Sequence, residues 1–433
     1  MQAGLAWAEA MLTADGSERM RLTGERRARL VLAFAKVLYT CGQSTEQTIA
    51  AAARLGRALG LSADLIPRWG ELTLSANAGE RTFLYQAEVS PTGIEMDRVA
   101  STIRAIGEVE AGRLAPETAL GTIDTIARLR PSPTWQFMLA AGVGSVALAV
   151  IFGVEHVVAA CLIFLSGSAG ALLRRGLARL SENLFVQPFC AALLAGLIGG
   201  LAVRFELSSS LRLIAVCPCM VLVPGPHFLN GMIDLVRGRL SLGAARLLYA
   251  LLVVAAISFG LLLGLACLGV SLPIDPPGRI ASLWEDVAAA GVAVAAYCIF
   301  FSAPFRMLPW PVCVGMIAHA SRWLAITQFG AGAATGALVA AVVVGVTLTP
   351  VARRANLPFA AIGFAAVVSM IPGVYLFRMM AGLVQITAHV PVTQDLVETV
   401  LVDGVNAAMI TMALSFGLIV PKLIIDGFRH PEK

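Results

Sequence analysis

Val216-Cys-Pro-Cys-Met-Val-Leu-Val-Pro-Gly-Pro-His-Phe-Leu-Asn-Gly-Met-Ile-Asp234-Leu-Val-Arg-Gly-Arg239 decides how the rest of the chain is read. The stretch begins as an apolar membrane span and breaks at Pro224-Gly225-Pro226. It continues as an amphipathic segment carrying His227, Asn230 and Asp234. Proline removes a backbone donor, and glycine loosens the helix. In lipid, freed backbone groups survive only where protein buries them or where they line a wet cavity. A broken span beside a His, an Asn and an Asp therefore reads as a solute site, and a plain anchor is the competing reading.

The pattern recurs 148 residues later. Val368-Ser-Met-Ile-Pro372-Gly373-Val-Tyr-Leu-Phe-Arg378 repeats the apolar run, the Pro-Gly pair and the polar continuation. Interrupted spans at matching places in two halves are the sequence mark of a secondary transporter's binding site. Two ordinary proline kinks would look similar.

Composition supports the membrane reading. The 433 residues are 58% hydrophobic and 14% charged, with a mean hydropathy of +0.81. Residues 1–133 hold 15 Lys+Arg and 15 Asp+Glu, so the net charge of +5 lies wholly in residues 134–433. That excess sits in loops between spans and reads as topology, not as nucleic-acid affinity. Seven of the eight cysteines, all but Cys41, lie in or beside apolar spans, where they act as small packing groups. No His/Cys cluster of metal-binding spacing accompanies them, so neither metal nor cofactor is expected. The short run Ala3–Ala8, followed by Glu9 and Asp15, does not make a signal peptide.

The expected domains are 1–133, 134–271 and 272–433. The first is a cytosolic α+β unit with an N-terminal arm over 1–23. Helices are expected at 24–39, from a Ser44 cap with Gln47 as its capping-box partner, at 95–111 and at 116–129. Strands are expected at 63–68, 71–75 and 82–88. This unit contains no His, no nucleophile with a partner and no phosphate loop, so no catalytic residue is assigned.

Ten apolar spans follow, near 135–153, 156–173, 187–203, 211–226, 244–270, 286–303, 310–327, 331–349, 357–375 and 398–420. With the N-terminus inside, twelve Lys/Arg fall inside: Arg174, Arg175, Arg179, Arg237, Arg239, Arg246, Arg306, Arg353, Arg354, Lys422, Arg429 and Lys433. Five fall outside: Arg204, Arg212, Arg279, Arg322 and Arg378. Both termini are thus placed in the cytoplasm. Loop 271–285 fits the outside. The two breaks lie five spans apart, and an odd number inverts orientation. The fold class is an α-helical polytopic membrane protein with a five-plus-five inverted repeat, the architecture of alternating access.

The substrate-binding candidates are Pro224, Gly225, His227, Asn230, Pro372, Gly373 and Asn406, and the proton-coupling candidates are Asp234 and Asp403. Ionisable groups inside a membrane are functional hypotheses by default. Pairing of Asp234 with Arg237 at the rim is the bland alternative. His319 and Arg322 read as interface anchors, and Arg378 reads as a snorkelling cation or a partner for a solute carboxylate.

These residues also resemble a known family. Cys41-Gly-Gln-Ser-Thr-Glu-Gln-Thr48, Leu59-Gly-Leu61 and Pro224-Gly225-x-x-x-Leu229-Asn-Gly-x-x-Asp234-Leu-x-x-Gly238 look like the threonine/serine exporter family in its fused two-half form. The resemblance covers nearly the whole chain from Gly24. It implies proton-driven efflux of small hydroxy-amino acids across a bacterial inner membrane, with lipid, protons and solute as partners. Association of copies stays open. Split relatives resemble dicarboxylate (succinate) exporters, so that substrate class also stays open, as do a membrane-tethered enzyme and a passive channel.

Overall fold

The computed structural model describes residues 23–208, 210–272, 281–354, 359–387 and 392–427. The arm 1–22, most of loop 271–285 with Arg279, and Arg429 and Lys433 lie outside the described residues. The chain divides into two compact units, one of residues 1–94 and 98–129, the other of residues 95–97 and 130–433.

The first unit packs helices against a small sheet. Helices α1 (Gly24–Thr40) and α2 (Thr45–Ala58) precede β1 (Ser62–Arg68), β2 (Glu71–Ala78) and β3 (Arg81–Glu88), and α3 (Met96–Glu110) and α4 (Pro116–Ala127) follow. Ser44 caps α2 by accepting the Gln47 N–H, a contribution of about 1 kcal/mol. The sheet is an antiparallel meander in the order β1-β2-β3. Alternation buries Ala63, Leu65, Leu72, Leu74 and Ala76 on one face, against Leu30, Phe34, Leu38 and Leu55 of the helical layer.

The second unit is helical throughout its described residues. Its first half comprises α5 (Thr134–Ile151), α6 (Val157–Leu177), α7 (Val186–Arg204), α8 (Leu211–Met220), α9 (Gly225–Val236) and α10 (Leu240–Ala266). Its second comprises α11 (Leu283–Phe300), α12 (Pro309–Thr327), α13 (Ala333–Arg354), α14 (Phe359–Val367), α15 (Gly373–Thr387) and α16 (Gln394–Gly427). Among the described residues, seven helices are long and apolar enough to cross a membrane. The pairs α8/α9 and α14/α15 raise that to nine if each is one bent span, with bends of 57° and 48°. The seventh expected span, α12, falls below the same apolarity, because His319, Arg322 and two prolines interrupt its 19 residues.

The halves repeat one packing scheme. In the first, α7 lies along α10, α6 along α7, and α9 along α10; in the second, α13 lies along α16, α12 along α13, and α15 along α16. Glycine sets the closest of these approaches. A Cβ on Gly264 of α10 would meet the Leu193 carbonyl oxygen, with the Leu197 nitrogen at 2.9 Å. At the matching crossing, a Cβ on Gly417 of α16 would stand 3.0 Å from the Leu338 oxygen. Small residues substitute for a hydrophobic driving force that lipid does not supply. Gly264→Val presses on backbone that cannot turn aside, so it is expected to cost about 1–3 kcal/mol, read as a lowered unfolding midpoint in detergent.

Candidate functional site

Both breaks have the same backbone. Pro224, at φ −81° and ψ 57°, lies in an inverse γ-turn, with the Gly225 N–H donating to the Val223 oxygen at 2.8 Å. The Gly373 N–H donates to the Ile371 oxygen, also at 2.8 Å. A short turn precedes each: Val223 N–H to Met220 O, and Ile371 N–H to Val368 O, both at 3.3 Å. The incoming helix ends ahead of the proline, at Met220 in one half and with the 3₁₀ turn at Met370 in the other, and the glycine after the proline begins the next helix.

The two breaks face one another. A Cβ on Gly225 would run into the Ile371 side chain and come within 2.7 Å of the Phe364 ring. A Cβ on Gly373 would stand 3.2 Å from Met220 and 3.5 Å from Val223. Each glycine therefore packs on residues just ahead of the opposite break. Pro224, Gly225, Pro372 and Gly373 form one cluster inside the bundle.

Beyond the first break, α9 turns a polar face inward. His227, Asn230 and Asp234 are all buried, at the i, i+3, i+7 spacing that aligns side chains on one side of a helix. His227 meets Tyr249 of α10 edge-on, with ring centres 4.9 Å apart. Asp234 is 1% exposed and lies between two arginines: Arg246 Nε at 3.2 Å and Arg239 Nη1 at 3.3 Å. Both of these arginines lie beyond Arg237, the partner of the bland alternative. The helix ends at Gly238, whose φ of +75° returns the chain so that the Arg239 N–H reaches the Asp234 carbonyl. Arg246 is the largest fully buried side chain among the described residues.

Beyond the second break lies a cavity of about 750 Å³, counted to include its open mouth. Its wall takes in Ile371 and Pro372 of the break, Val216 and Cys217 of α8, and the polar residues Ser369, Tyr375, Arg212, Arg322 and Arg378. Three arginines thus share one concavity. Arg378 Nε stands 3.1 Å from Asp403 Oδ2 of α16. Asp403 sits about two and a half turns into α16, because that helix starts at Gln394, earlier than the span expected from hydropathy. Asn406, one turn on, is half-buried and does not line the cavity.

One constellation escaped the sequence reading. His319, read as an interface anchor, is 0% exposed and packed inside the protein. Its Nδ1 is 2.9 Å from Asp286 Oδ2, and its Nε2 is 2.6 Å from the Ser369 hydroxyl. Asp286 belongs to the first turn of α11, where Ser282 and Glu285 close a capping box and the helix N-terminus favours an anion. The partners lie 33 residues before and 50 after His319. Only the buried polar trio itself, in otherwise apolar spans, signalled it.

Comparisons with known proteins agree with this architecture. A family model described as "Putative threonine/serine exporter" matches residues 29–268, and a second, "Threonine/Serine exporter, ThrE", matches residues 286–424. A curated "Probable threonine/serine exporter" of Mycobacterium tuberculosis (strain ATCC 25618 / H37Rv) is 24% identical over 419 residues, 93% of this chain and 77% of that protein. No solved structure matches the chain. Two consecutive exporter models over one polypeptide, with many apolar helices, make this a multi-pass membrane transporter and not an enzyme: the chain belongs to the threonine/serine exporter family.

Proposed function

We propose that this chain is a secondary carrier that exports small amino acids of the threonine/serine kind across a bacterial inner membrane, by proton antiport and alternating access. The observation that carries the reading is the contact between the two Pro-Gly breaks beside an arginine-lined cavity. At the second break, the end of α14 with its 3₁₀ turn presents carbonyls, and the start of α15 presents N–H groups. Those opposed helix ends suit a zwitterion: carboxylate toward Gly373 and the arginines, ammonium toward the carbonyl end. Arg212, Arg322 and Arg378 all belong to the set that charge bias assigns outside, which supports an outward-facing cavity.

The repeated packing of the halves supports a five-plus-five repeat, inverted if each half crosses five times, with α12 as a polar span and both termini cytoplasmic. Rocking of the halves about the paired breaks would expose His227 and Asn230 on one side and the arginine cavity on the other. Of the two carboxylates proposed for the proton, Asp403 suits the role better. It touches one arginine that also lines the cavity, whereas Asp234 is clamped by Arg239 and Arg246, and Arg246 is itself buried.

The arginine trio also favours a second reading, export of a dicarboxylate. Vesicles preloaded with unlabelled threonine, serine or succinate separate the two. Accelerated entry of labelled threonine is the expected result, since only a carrier shows exchange acceleration. Acceleration by succinate alone would reassign the substrate, and none with any solute would remove the carrier reading.

A further inference from the structure

The buried chain Asp286–His319–Ser369 has no part in the scheme above, yet its last member lines the cavity. Its hydrogen-bond polarity can be worked out. Asp286 accepts at a helix N-terminus, which favours an anion, and this assigns the proton between the two groups to Nδ1 of His319. With His319 neutral, Nε2 is an acceptor and takes the Ser369 O–H. The lone pairs of Ser369 Oγ then face the cavity. With His319 protonated, Nε2–H donates to Ser369 Oγ, and the hydroxyl proton turns toward the cavity. One proton thus changes Ser369 from an acceptor to a donor and adds a cation one hydrogen bond behind the wall.

We propose that His319 is the group that exchanges the coupled proton, and that Ser369 relays its state to the ammonium of the bound solute. An ammonium has only donors, so it docks on Ser369 when His319 is neutral and is turned away when His319 is charged. Proton and amino acid then compete for one site, which is the requirement for antiport. This proposal rests on the carrier reading and replaces its carboxylate proton site.

Few other charged or titratable groups lie on the elements packed against His319. From α11, only Asp286 and its neighbour Glu285 bear charge, and Glu285 is engaged in the capping box. Tyr297 and Cys298 are the other titratable groups of α11, and they lie about three turns away along it. On α12 itself, Arg322 stands one turn beyond and belongs to the cavity wall. The α14 helix has no charged residue, and α13 has only Arg353 and Arg354, in its last turn. From the 3₁₀ turn comes Ser369, and from the turn before α12 comes Arg306.

The first test is solute binding by the intact purified protein, read as ligand-induced thermal stabilisation between pH 5.5 and 8. Threonine keeps its zwitterionic form over that range. Its affinity for wild type is expected to fall as pH drops, by up to about tenfold per unit for one competing proton. Binding of 3-hydroxybutyrate, which lacks the ammonium, is expected not to weaken. His319→Gln is expected to flatten the threonine profile while keeping binding, and Ser369→Ala to flatten it in a protein whose Asp286–His319 pair is intact. A flat wild-type profile, or an unchanged slope in both variants, overturns the proposal, as does a matching fall for 3-hydroxybutyrate.

Transport provides the second readout. In vesicles, His319→Gln is expected to keep threonine exchange and lose accumulation driven by a pH gradient at least tenfold. Gradient-driven accumulation at the wild-type level would also overturn the proposal. Absence of exchange in wild type would strike at the carrier reading instead, since the binding profile reads His319 without any transport.

Discussion

Gly225→Leu is expected to reduce threonine exchange roughly 5- to 150-fold while the protein still reaches the membrane. The new side chain must enter space held by Ile371 and the Phe364 ring. Overpacking of this kind costs about 1–3 kcal/mol, and each ~1.4 kcal/mol is a factor of ten. The strain falls on the contact between the halves, so it acts on whichever state brings the breaks together. Gly373→Ala provides the control. Its Cβ would meet the flexible Met220 side chain at 3.2 Å, a tight contact that a small shift relieves, and Val223 at 3.5 Å, so exchange is expected within a few-fold of wild type. Initial rates in vesicles, normalised to inserted protein, check both. Equal losses in the two variants would mean that the breaks do not bear on each other during transport.

Arg246→Met is expected to destabilise the membrane unit by about 3–5 kcal/mol, seen as a sharply lowered unfolding midpoint or poor recovery from the membrane. Removing one partner of a buried ion pair strands the other, whereas replacing both can be neutral. Arg246 and Asp234 are each 1% exposed, while Arg239 remains partly wet at 29%. Asp234→Asn with Arg246→Met is therefore expected to be more stable than Arg246→Met alone. The same double variant decides what Asp234 is for. If the clamp only joins α9 to α10, gradient-driven export survives in it. Loss of that export in a folded double variant would return Asp234 to the coupling scheme.

Local signals carried much of this architecture. The Pro-Gly pairs, the Ser44 cap and the three short apolar stretches that form β1 to β3 were legible because each depends on neighbours in sequence. The mutual packing of the breaks followed from their equivalent positions in the halves. Helix pairing at longer range was not legible. For Asp234 only a neighbouring Arg237 was considered as a partner; the turn at Gly238 carries Arg239 back as well, and α10 brings Arg246 from nearly two turns inside. His319 looked interfacial because it lies with Arg322 near the expected outer end of its span. Its partners belong to a helix start and a 3₁₀ turn that no spacing rule connects.

The backbone repeat does not extend to its chemistry. The 148-residue step that carries Pro224 to Pro372 carries His227 to Tyr375 and Asn230 to Arg378. One mouth of such a carrier meets its cargo with an imidazole and an amide, the other with guanidinium. Half-saturating concentrations should then differ between the two membrane faces, although ion and solute gradients alone fix the final distribution. The molecule would work as a rectifier in rate: quick to load from one compartment, slow to refill from the other.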